Sequence, residues 1–157
     1  MRVKDVMTSN VSCVRSSEPL SAAAKLMWDC DCGAIPVVDE SSKVIGVITD
    51  RDICMSCWSQ DRAPGAIQIS ESMSKELYCC TPEDSLADAE KLMRSKQVRR
   101  LPMTDKQGRL AGIVSLADLV KHAHGQSSRE VGPDEVTSTL AGICQPRGVA
   151  APPTINA

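Results

Sequence analysis

An internal duplication constrains this chain more than any other feature. Residues 3–54 align with residues 69–120, 66 positions later, without a gap. The two copies carry identical residues at Met7/Met73, Cys13/Cys79, Leu20/Leu86, Ala23/Ala89, Lys25/Lys91, Leu26/Leu92, Met27/Met93, Pro36/Pro102, Asp39/Asp105, Gly46/Gly112 and Asp52/Asp118. Identities at a constant offset predict two copies of one supersecondary unit.

The sequence pattern within each copy predicts the element order β-α-β-β-α. The first strands are expected at 11–14 and 77–80, and the helices after them start near Ser17-Glu-Pro and Pro82-Glu-Asp-Ser. Turn residues between two further apolar runs indicate a β-hairpin in each copy, and a second helix closes each unit. These later elements are expected at 35–38, 44–49 and 50–58 in the first copy, and at 101–103, 110–115 and 116–123 in the second.

The predicted fold class is α/β (α+β), with tandem β-α-β-β-α repeats. A unit of about 55 residues is marginal by itself, so the two copies are expected to pack together and share one core. The domain prediction places the first repeat at 1–58, a polar linker at 59–68 and the second repeat at 69–124. A tail covers 125–157, with a short helix at 133–144 that puts Val136, Leu140 and Ile143 on one face, and a disordered end.

Composition excludes several classes of function. The chain has 18 basic and 20 acidic residues, so it lacks the basic surface of a general nucleic-acid-binding protein. Its aromatic residues are Trp28, Trp58 and Tyr78, too few for a surface that stacks unpaired bases. No secretory signal and no apolar run of membrane-spanning length is seen, which predicts a cytoplasmic protein without a membrane partner.

The last strand of each copy runs directly into a helix through a shared motif. Gly46-Val-Ile-Thr-Asp-Arg-Asp52 and Gly112-Ile-Val-Ser-Leu-Ala-Asp118 both read Gly-h-h-(Thr/Ser)-x-x-Asp. One interpretation is structural, because Thr or Ser with an acid three residues later forms a capping box. The other is functional: a helix N-terminus attracts phosphate, and a carboxylate one turn later can accept hydrogen bonds from a sugar.

Together these motifs resemble a known family. Asp-Val-Met-Thr at 5–8, Ala34-Ile-Pro-Val-Val-Asp39, Val98-Arg-Arg-Leu-Pro-Met-Thr-Asp105 and the doubled Gly-h-h-(Thr/Ser)-x-x-Asp motif are similar to a cystathionine-β-synthase (CBS) domain pair, or Bateman module. The resemblance covers residues 3–123. Each motif is weak alone, but their repetition in order at a constant offset is specific.

The resemblance implies a regulatory module that binds AMP, ADP, ATP or S-adenosylmethionine in clefts between the repeats. Asp52 and Asp118 would hold ribose hydroxyls, and Thr49 and Ser115 would contact ribose or phosphate. Adenine would lie in an aliphatic slot near Cys13 or Cys79, which suits a chain poor in aromatics. The residues expected to contact ligand are Cys13, Val14, Ile35, Pro36, Thr49, Arg51, Asp52, Cys80, Arg99, Arg100, Leu101, Pro102, Ser115 and Asp118.

The two copies differ where phosphate would bind. Arg99 and Arg100 stand where the first copy has Gly33 and Ala34, while Arg51 corresponds to Ala117. These arginines either form bidentate contacts with a phosphate or are simply solvated beside a strand. On the first interpretation, a cleft that uses the second copy's arginines prefers phosphorylated adenosine.

Cysteine and histidine supply a competing signal. Cys30/Cys32, Cys54/Cys57, Cys79/Cys80 and His122/His124 resemble fragments of metal sites. A pair of ligands is only half of a zinc site, and neighbouring residues on a strand point to opposite faces, so no metal site is predicted. Packing and a redox-responsive disulfide remain alternatives for the eight thiols.

No group of motifs indicates catalysis, so the chain is expected not to be an enzyme and to require no cofactor. The resemblance further implies a homodimer formed through helices. Only residues 125–157 follow the second repeat, so the effector is expected to be an unknown, separate protein. The alternative function is a ligand-free dimeric interaction protein, or a redox-responsive thiol protein, on the same fold.

Overall fold

The computed structural model describes residues 1–125 and 132–145. In the first repeat its elements are β1 (Val14–Arg15), α1 (Leu20–Asp29), β2 (Ala34–Val38), β3 (Val44–Thr49) and α2 (Asp50–Gln60). A 3-10 turn (Pro64–Ala66) and α3 (Ile69–Ser72) lead into the second repeat, which has α4 (Leu86–Lys96), β4 (Arg100–Thr104), β5 (Leu110–Ser115) and α5 (Leu116–Gly125). Helix α6 (Pro133–Ile143) follows, and a 3-10 turn (Val3–Asp5) begins the chain. The predicted fold class is confirmed.

The two hairpins have the same register. In β2 and β3, Ala34 pairs with Thr49, and in β4 and β5, Arg100 pairs with Ser115. Each hairpin also has one irregularity at the end of its first strand, between Val37 and Val38 or between Met103 and Thr104. Duplicated sequence therefore produces duplicated pairing, and the residue that starts each closing helix follows directly from a paired strand end.

The hairpin turns are held by aspartates at a duplicated position. Asp39 Oδ1 accepts hydrogen bonds from the backbone N–H groups of Ser41 and Lys43, at 2.8 and 2.9 Å. Asp105 Oδ1 accepts the equivalent bonds from Gln107 and Arg109 at the same distances. The N–H of Arg109 is the largest cause that lowers the pKa of Asp105. The identity Asp39/Asp105 thus reflects turn formation.

The segment that precedes each repeat packs in the core of the other repeat, so the chain crosses from one repeat to the other twice. Val3 is buried in the core of the second repeat with Leu86 and Leu101, whereas Ile69, its counterpart, is buried in the core of the first repeat. Ile67, within the predicted linker, is only 1% exposed and also packs in the first core. Two apolar clusters result where one shared core was expected, and each is completed by a segment that precedes the other repeat.

Backbone pairing fixes both crossings. Thr8 and Ile113 exchange N–H···O bonds of 2.9 Å, and Ser74 and Val47 exchange bonds of 2.9 and 3.3 Å. The turns of the two hairpins also contact each other. The Val44 N–H donates to Gly108 O, and the Leu110 N–H donates to Ser42 O. The two sheets are therefore joined at several points.

The predicted first strands, 11–14 and 77–80, are largely wrong. Strand β1 contains only Val14 and Arg15, paired in parallel with Val37 and Val38. In the second repeat only Cys80 forms a bridge, to Met103. The physical reason is the crossing: between Thr8 and Val14, and between Ser74 and Cys80, the chain passes from one sheet to the other and cannot lie along either.

Helix α6 packs on α4 and α5, and its buried face differs from the expected one. Val136 and Ile143 are buried as predicted, but Leu140 is 44% exposed and Thr139 is fully buried instead. The Thr139 hydroxyl donates to Glu90 Oε1, which is itself buried on α4. The buried face of α6 therefore includes a polar side chain whose hydrogen bond is satisfied within the core. The end of the predicted tail, 146–157, lies outside the described residues.

None of the helices within residues 1–125 and 132–145 is long and apolar enough to cross a bilayer.

Candidate functional site

The first Gly-h-h-Thr-x-x-Asp motif forms a capping box at the start of α2. The Asp52 N–H donates to Thr49 Oγ1 at 3.2 Å, while the Thr49 N–H and hydroxyl both donate to Asp52 Oδ2, at 2.9 and 2.6 Å. Thr49 ends β3 in extended conformation, so its side chain reaches the first helical turn. The structural interpretation of this motif is therefore confirmed for the first copy.

The second motif repeats this geometry at the start of α5. Ser115 N–H and hydroxyl donate to Asp118 Oδ2 at 2.8 and 2.6 Å, and Asp118 N–H donates to Ser115 Oγ at 3.3 Å. Both aspartates are half-buried, and in each cap the two bonds that the carboxylate accepts end on Oδ2. The cap holds each carboxylate in one orientation and leaves its Oδ1 outside the cap bonds, so the structural and functional interpretations are compatible.

A cleft of about 320 Å³ opens at the N-terminus of α5. It brings three of the predicted ligand-binding residues together, Arg99, Arg100 and Ser115, and is completed by Leu116, Ala117 and Val120. Arg99 is exposed and Arg100 is half-buried. The Arg100 guanidinium has no hydrogen-bond or ion-pair partner among the described residues. An unpaired guanidinium beside a helix N-terminus makes this cleft electropositive.

A second cleft, of about 580 Å³, lies between α1 and α2 and reaches Arg100. Its lining residues are Ala24, Met27, Trp28, Asp31, Cys32, Gly33, Asp50, Ile53, Cys54 and Arg100. Only Arg100 was predicted from sequence. The sequence did contain one indication of this cleft, because Trp28 is one of two tryptophans in the chain and lies on a predicted helix.

The remaining predicted residues do not line these two clefts. Arg51 and Cys13 are exposed, and Asp52, Thr49 and Asp118 are half-buried at the caps. The apolar members pack within the sheets as buried residues: Val14, Ile35, Pro36, Cys80, Leu101 and Pro102. The aliphatic adenine slot that these residues would form therefore stays a prediction.

The thiols show no metal site or crosslink in the described part of the chain. All eight cysteines are free. No group of three His, Cys, Asp or Glu side chains within residues 1–125 and 132–145 is placed to hold a metal ion. Burial raises the pKa of the Cys79 thiol to about 11, and burial together with Asp84 raises that of Cys80 to about 11. A higher pKa lowers the thiolate fraction, which weakens the thiol alternative at this pair.

Comparison with known proteins agrees with the duplicated fold and its motif. The family model described as "CBS domain" matches residues 3–58 and 66–125. The chain belongs to the CBS domain family. CBS domain-containing protein YhcV of Bacillus subtilis is 43% identical over 136 residues, covering 87% of this chain and 93% of its own length. Hypoxic response protein 1 of Mycobacterium tuberculosis is 29% identical over 148 residues, covering 94% and 97%.

Solved CBS structures share the fold. A crystal structure of Hypoxic Response Protein I with two coordinated zinc ions has a TM-score of 0.71 and 32% identity, covering 78% of this chain and 98% of the other. The CBS domain pair of protein MJ0100, in complex with 5'-methylthioadenosine and S-adenosyl-L-methionine, has a TM-score of 0.72 and 24% identity, covering 80% and 97%. The predicted resemblance to a CBS domain pair is confirmed.

Proposed function

We propose that this CBS domain protein is a non-enzymatic regulatory module that binds an adenosine-containing ligand between its repeats. The ligand class is AMP, ADP, ATP or S-adenosylmethionine, and the module acts on a separate effector protein. The observation that carries this proposal is the cleft at the start of α5, where Arg99, Arg100 and Ser115 come together.

The charges in this cleft suit a phosphate. The cleft lies at the N-terminus of α5, where the helix dipole is positive. The Leu116 and Asp118 N–H groups already donate to Arg99 O and Ser115 Oγ, so the helix end attracts a phosphate through its dipole. Arg100 supplies a guanidinium that is already half-buried and unpaired among the described residues. A phosphate would pair with this guanidinium through charge-assisted hydrogen bonds.

The capping carboxylate suits a ribose. Three hydrogen bonds join Asp118 to Ser115. Two are accepted by Asp118 Oδ2, and one is donated by the backbone N–H of Asp118. Its Oδ1 lies outside that set and can accept a bond from a ribose hydroxyl, since an ionised carboxylate has about four acceptor sites. The MJ0100 domain pair, whose structure contains two adenosine derivatives, supports the ligand class by fold similarity.

A thermal-shift series tests the proposal directly. The reduced protein is melted with adenosine, AMP, ATP, S-adenosylmethionine and NAD. A ligand at about 100 times its dissociation constant stabilises the folded state by about 2.7 kcal/mol. We expect at least one adenosine compound to raise Tm, and the absence of a shift with all of them would refute adenosine binding.

A pair of matched variants separates binding from capping. Asp88 forms a similar cap with Ser85 at the start of α4, with hydrogen bonds of 2.6 and 3.1 Å, but Ser85 lines neither cleft, whereas Ser115, the cap partner of Asp118, lines the cleft at the start of α5. Asp118→Asn and Asp88→Asn should therefore have similar effects on stability, whereas only Asp118→Asn should weaken ligand binding. Equal affinity in the two variants would remove Asp118 from the ligand site.

A further inference from the structure

Helix α6 covers, in the second repeat, the position that corresponds to the 580 Å³ cleft of the first. The cleft residue Asp31 corresponds to Gln97, whose Nε2 donates to the carbonyl oxygens of Gly142 and Gln145, at 3.2 and 3.0 Å. Helix α6 packs on both α4 and α5, whereas no helix of the described chain packs in a comparable way on both α1 and α2. The cleft between α1 and α2 is therefore open at a position that is filled in the other repeat.

The lining of this cleft carries more negative charge than the corresponding residues of the second repeat. Three positions change the charge, and the pairs, with the first repeat named first, are Asp31/Gln97, Gly33/Arg99 and Asp50/Leu116. In the first repeat each of these positions adds a carboxylate or lacks a guanidinium. Two carboxylates therefore share the lining with one guanidinium, that of Arg100, so the net charge of the cleft is negative.

The Asp50 carboxylate is held in a fixed position in this cleft. Its Oδ1 accepts a hydrogen bond from the Arg51 N–H at 2.7 Å. Its Oδ2 lies over Gly33, so closely that a Cβ on this glycine would be 2.8 Å away. A larger residue at position 33 would displace the carboxylate, so the glycine makes room for it. Oδ2 has no partner among the described residues and is available to a ligand.

The charges of the cleft are not paired with each other. Asp31, Asp50 and Arg100 form no ion pair within residues 1–125 and 132–145. A ligand that brings a cationic group into the cleft would therefore meet two carboxylates and would break no existing ion pair. Arg100, in turn, would repel the cation and confine it to the side of the carboxylates.

Trp28 supplies an aromatic surface in the same cleft. This residue is 87% exposed, and tryptophan is the aromatic residue that attracts a cation most strongly. Ala24, Met27 and Ile53 add apolar surface to the lining. A methylated cation suits this combination, because its methyl groups pack on the apolar surface while the carboxylates balance its charge.

A metal ion suits the cleft less well than an organic cation. No group of three His, Cys, Asp or Glu side chains in the described part of the chain is placed to hold a metal ion. A metal ion needs several ligand atoms in a defined geometry. A methylated cation has no such requirement, since an aromatic face and nearby negative charge are sufficient.

We propose that the cleft between α1 and α2 binds a small methylated onium compound, either a quaternary ammonium or a sulfonium. The cationic group lies between the Trp28 indole and the carboxylates of Asp31 and Asp50. The volume of about 580 Å³ is typical of a small-molecule site. The onium group is free or is carried by a nucleoside, and the experiment distinguishes these sources. This inference does not rest on ligand binding in the cleft at the start of α5.

Two matched pairs of probes test the charge preference on the full chain. The first pair is choline and its neutral isostere, the alcohol in which carbon replaces nitrogen. The second is S-adenosylmethionine and S-adenosylhomocysteine, which lacks the methyl group and the charge on sulfur. Calorimetric titration at constant ionic strength measures all four. We expect the charged member of at least one pair to bind about tenfold more tightly than its neutral counterpart.

Tryptophan emission reports binding at this cleft. Trp58 does not line the cleft, and the chain has two tryptophans, so Trp58→Phe leaves Trp28 as the sole emitter. Its emission should change with the charged probe and not with the neutral one. Trp28→Leu should weaken binding of the charged probe by about tenfold, whereas Trp58→Leu should leave the affinity unchanged.

Asparagine variants locate the cation. Asp31→Asn and Asp50→Asn remove the charges with little change of shape, and asparagine tolerates the φ of 49° at position 31. The double variant should bind the charged probe about tenfold more weakly. Asp29→Asn is the control, because Asp29 is paired with Lys25 and does not line the cleft. Circular dichroism checks that all variants are folded.

Other outcomes overturn the inference. The cleft has no onium site if neither pair shows a preference for the charged member. The same holds if the preference survives the double asparagine substitution, or if Asp29→Asn removes it equally. A preference in the choline pair, with no thermal shift from any adenosine compound, would refute the proposed function alone and support this site. A preference in the nucleoside pair alone, lost in the double variant, would identify a nucleoside as the carrier.

Discussion

The carbonyl oxygen of Ser74 lies directly over Gly46, so that a Cβ on Gly46 would come within 2.6 Å of it. Gly112 has the same relationship to the Thr8 carbonyl oxygen, at 2.8 Å. The Met73 and Met7 sulfurs lie beside these glycines, at 3.1 and 3.0 Å from the same Cβ positions. Two duplicated identities, the motif glycine and the methionine, therefore share one cause: the crossing backbone passes over the strand at van der Waals distance.

We predict that Gly46→Ala destabilises the protein by about 1–3 kcal/mol, the usual cost of overpacking. The methyl group would meet backbone, which cannot yield as a flexible side chain can. Tm should fall by about 2–4 °C per kcal/mol for a chain of this size. Gly65→Ala is the control, because a Cβ there would have only Ser21 Oγ nearby, at 3.8 Å. A stable Gly46→Ala protein would mean that the crossing segment can move away.

We predict that Thr139→Val loosens helix α6 and costs about 1–3 kcal/mol, since it leaves the buried Glu90 carboxyl without its hydrogen-bond donor. Thr137→Val serves as control: Thr137 is exposed on the same helix and bonds only to the carbonyl of Pro133, in its own first turn. Hydrogen exchange of the α6 amides measures the difference. Equal exchange in both variants would show that the Glu90–Thr139 bond does not hold the helix.

We predict that Arg100→Ala removes the preference for phosphorylated adenosine. Its guanidinium lines the cleft at the start of α5, where a phosphate would pair with it. Affinity for AMP should fall by about tenfold or more, at about 1.5–3 kcal/mol for a charged hydrogen bond, while that for adenosine changes little. Calorimetric titration measures both.

The matched control for this titration is Lys106→Ala, which removes the same charge from the exposed turn between β4 and β5. An equal loss of AMP affinity in the two variants would indicate only long-range attraction. Plain adenosine binding as tightly as AMP to the unmodified protein would contradict a phosphate site.

We predict that Cys79 and Cys80 react slowly with alkylating reagents at pH 8. Burial raises the pKa of each thiol to about 11, so only about one molecule in a thousand carries the thiolate at that pH. Alkylation followed by peptide mass spectrometry should label exposed Cys30 and Cys54 first. In urea, where burial is lost, the difference should disappear.

The raised pKa of the Cys79 and Cys80 thiols also makes stability depend on pH. The folded-state pKa lies above the unfolded value, so the unfolded chain releases these protons first as the pH rises from 9 to 11. Stability should therefore fall across this window. Rapid labelling of Cys79 or Cys80 at pH 8 would contradict the raised pKa and revive the thiol alternative.

The sequence predicted the features that depend on interactions between residues close together in the chain. The capping boxes at Thr49 and Ser115 and the aspartate turns at Asp39 and Asp105 follow from side-chain bonds within a few residues, so their patterns were readable. The hairpins followed from turn residues between apolar runs. The family motifs then indicated the domain pair, and the family model confirmed it.

What the sequence could not show depends on distant contacts. Val3 and Ile69 are both apolar, and no neighbouring residue in the sequence indicates in which repeat's core each is buried. The first strands were too long in the prediction for this reason. The face predicted for α6 contained Leu140 and not Thr139, because the buried hydrogen-bond partner of Thr139, Glu90, lies 49 residues away in the chain. The cleft beside Trp28 likewise depends on how α1 meets α2.

The crossed segments make each half of this protein incomplete without the other. A fragment containing only residues 69–124 would lack Val3, and one ending at residue 58 would lack Ile67 and Ile69. A single ancestral repeat with this packing could complete its core only by exchanging its leading segment with a twin. Duplication of the gene would have turned that exchange between two chains into a contact within one chain, in which the segment that precedes each repeat completes the core of the other.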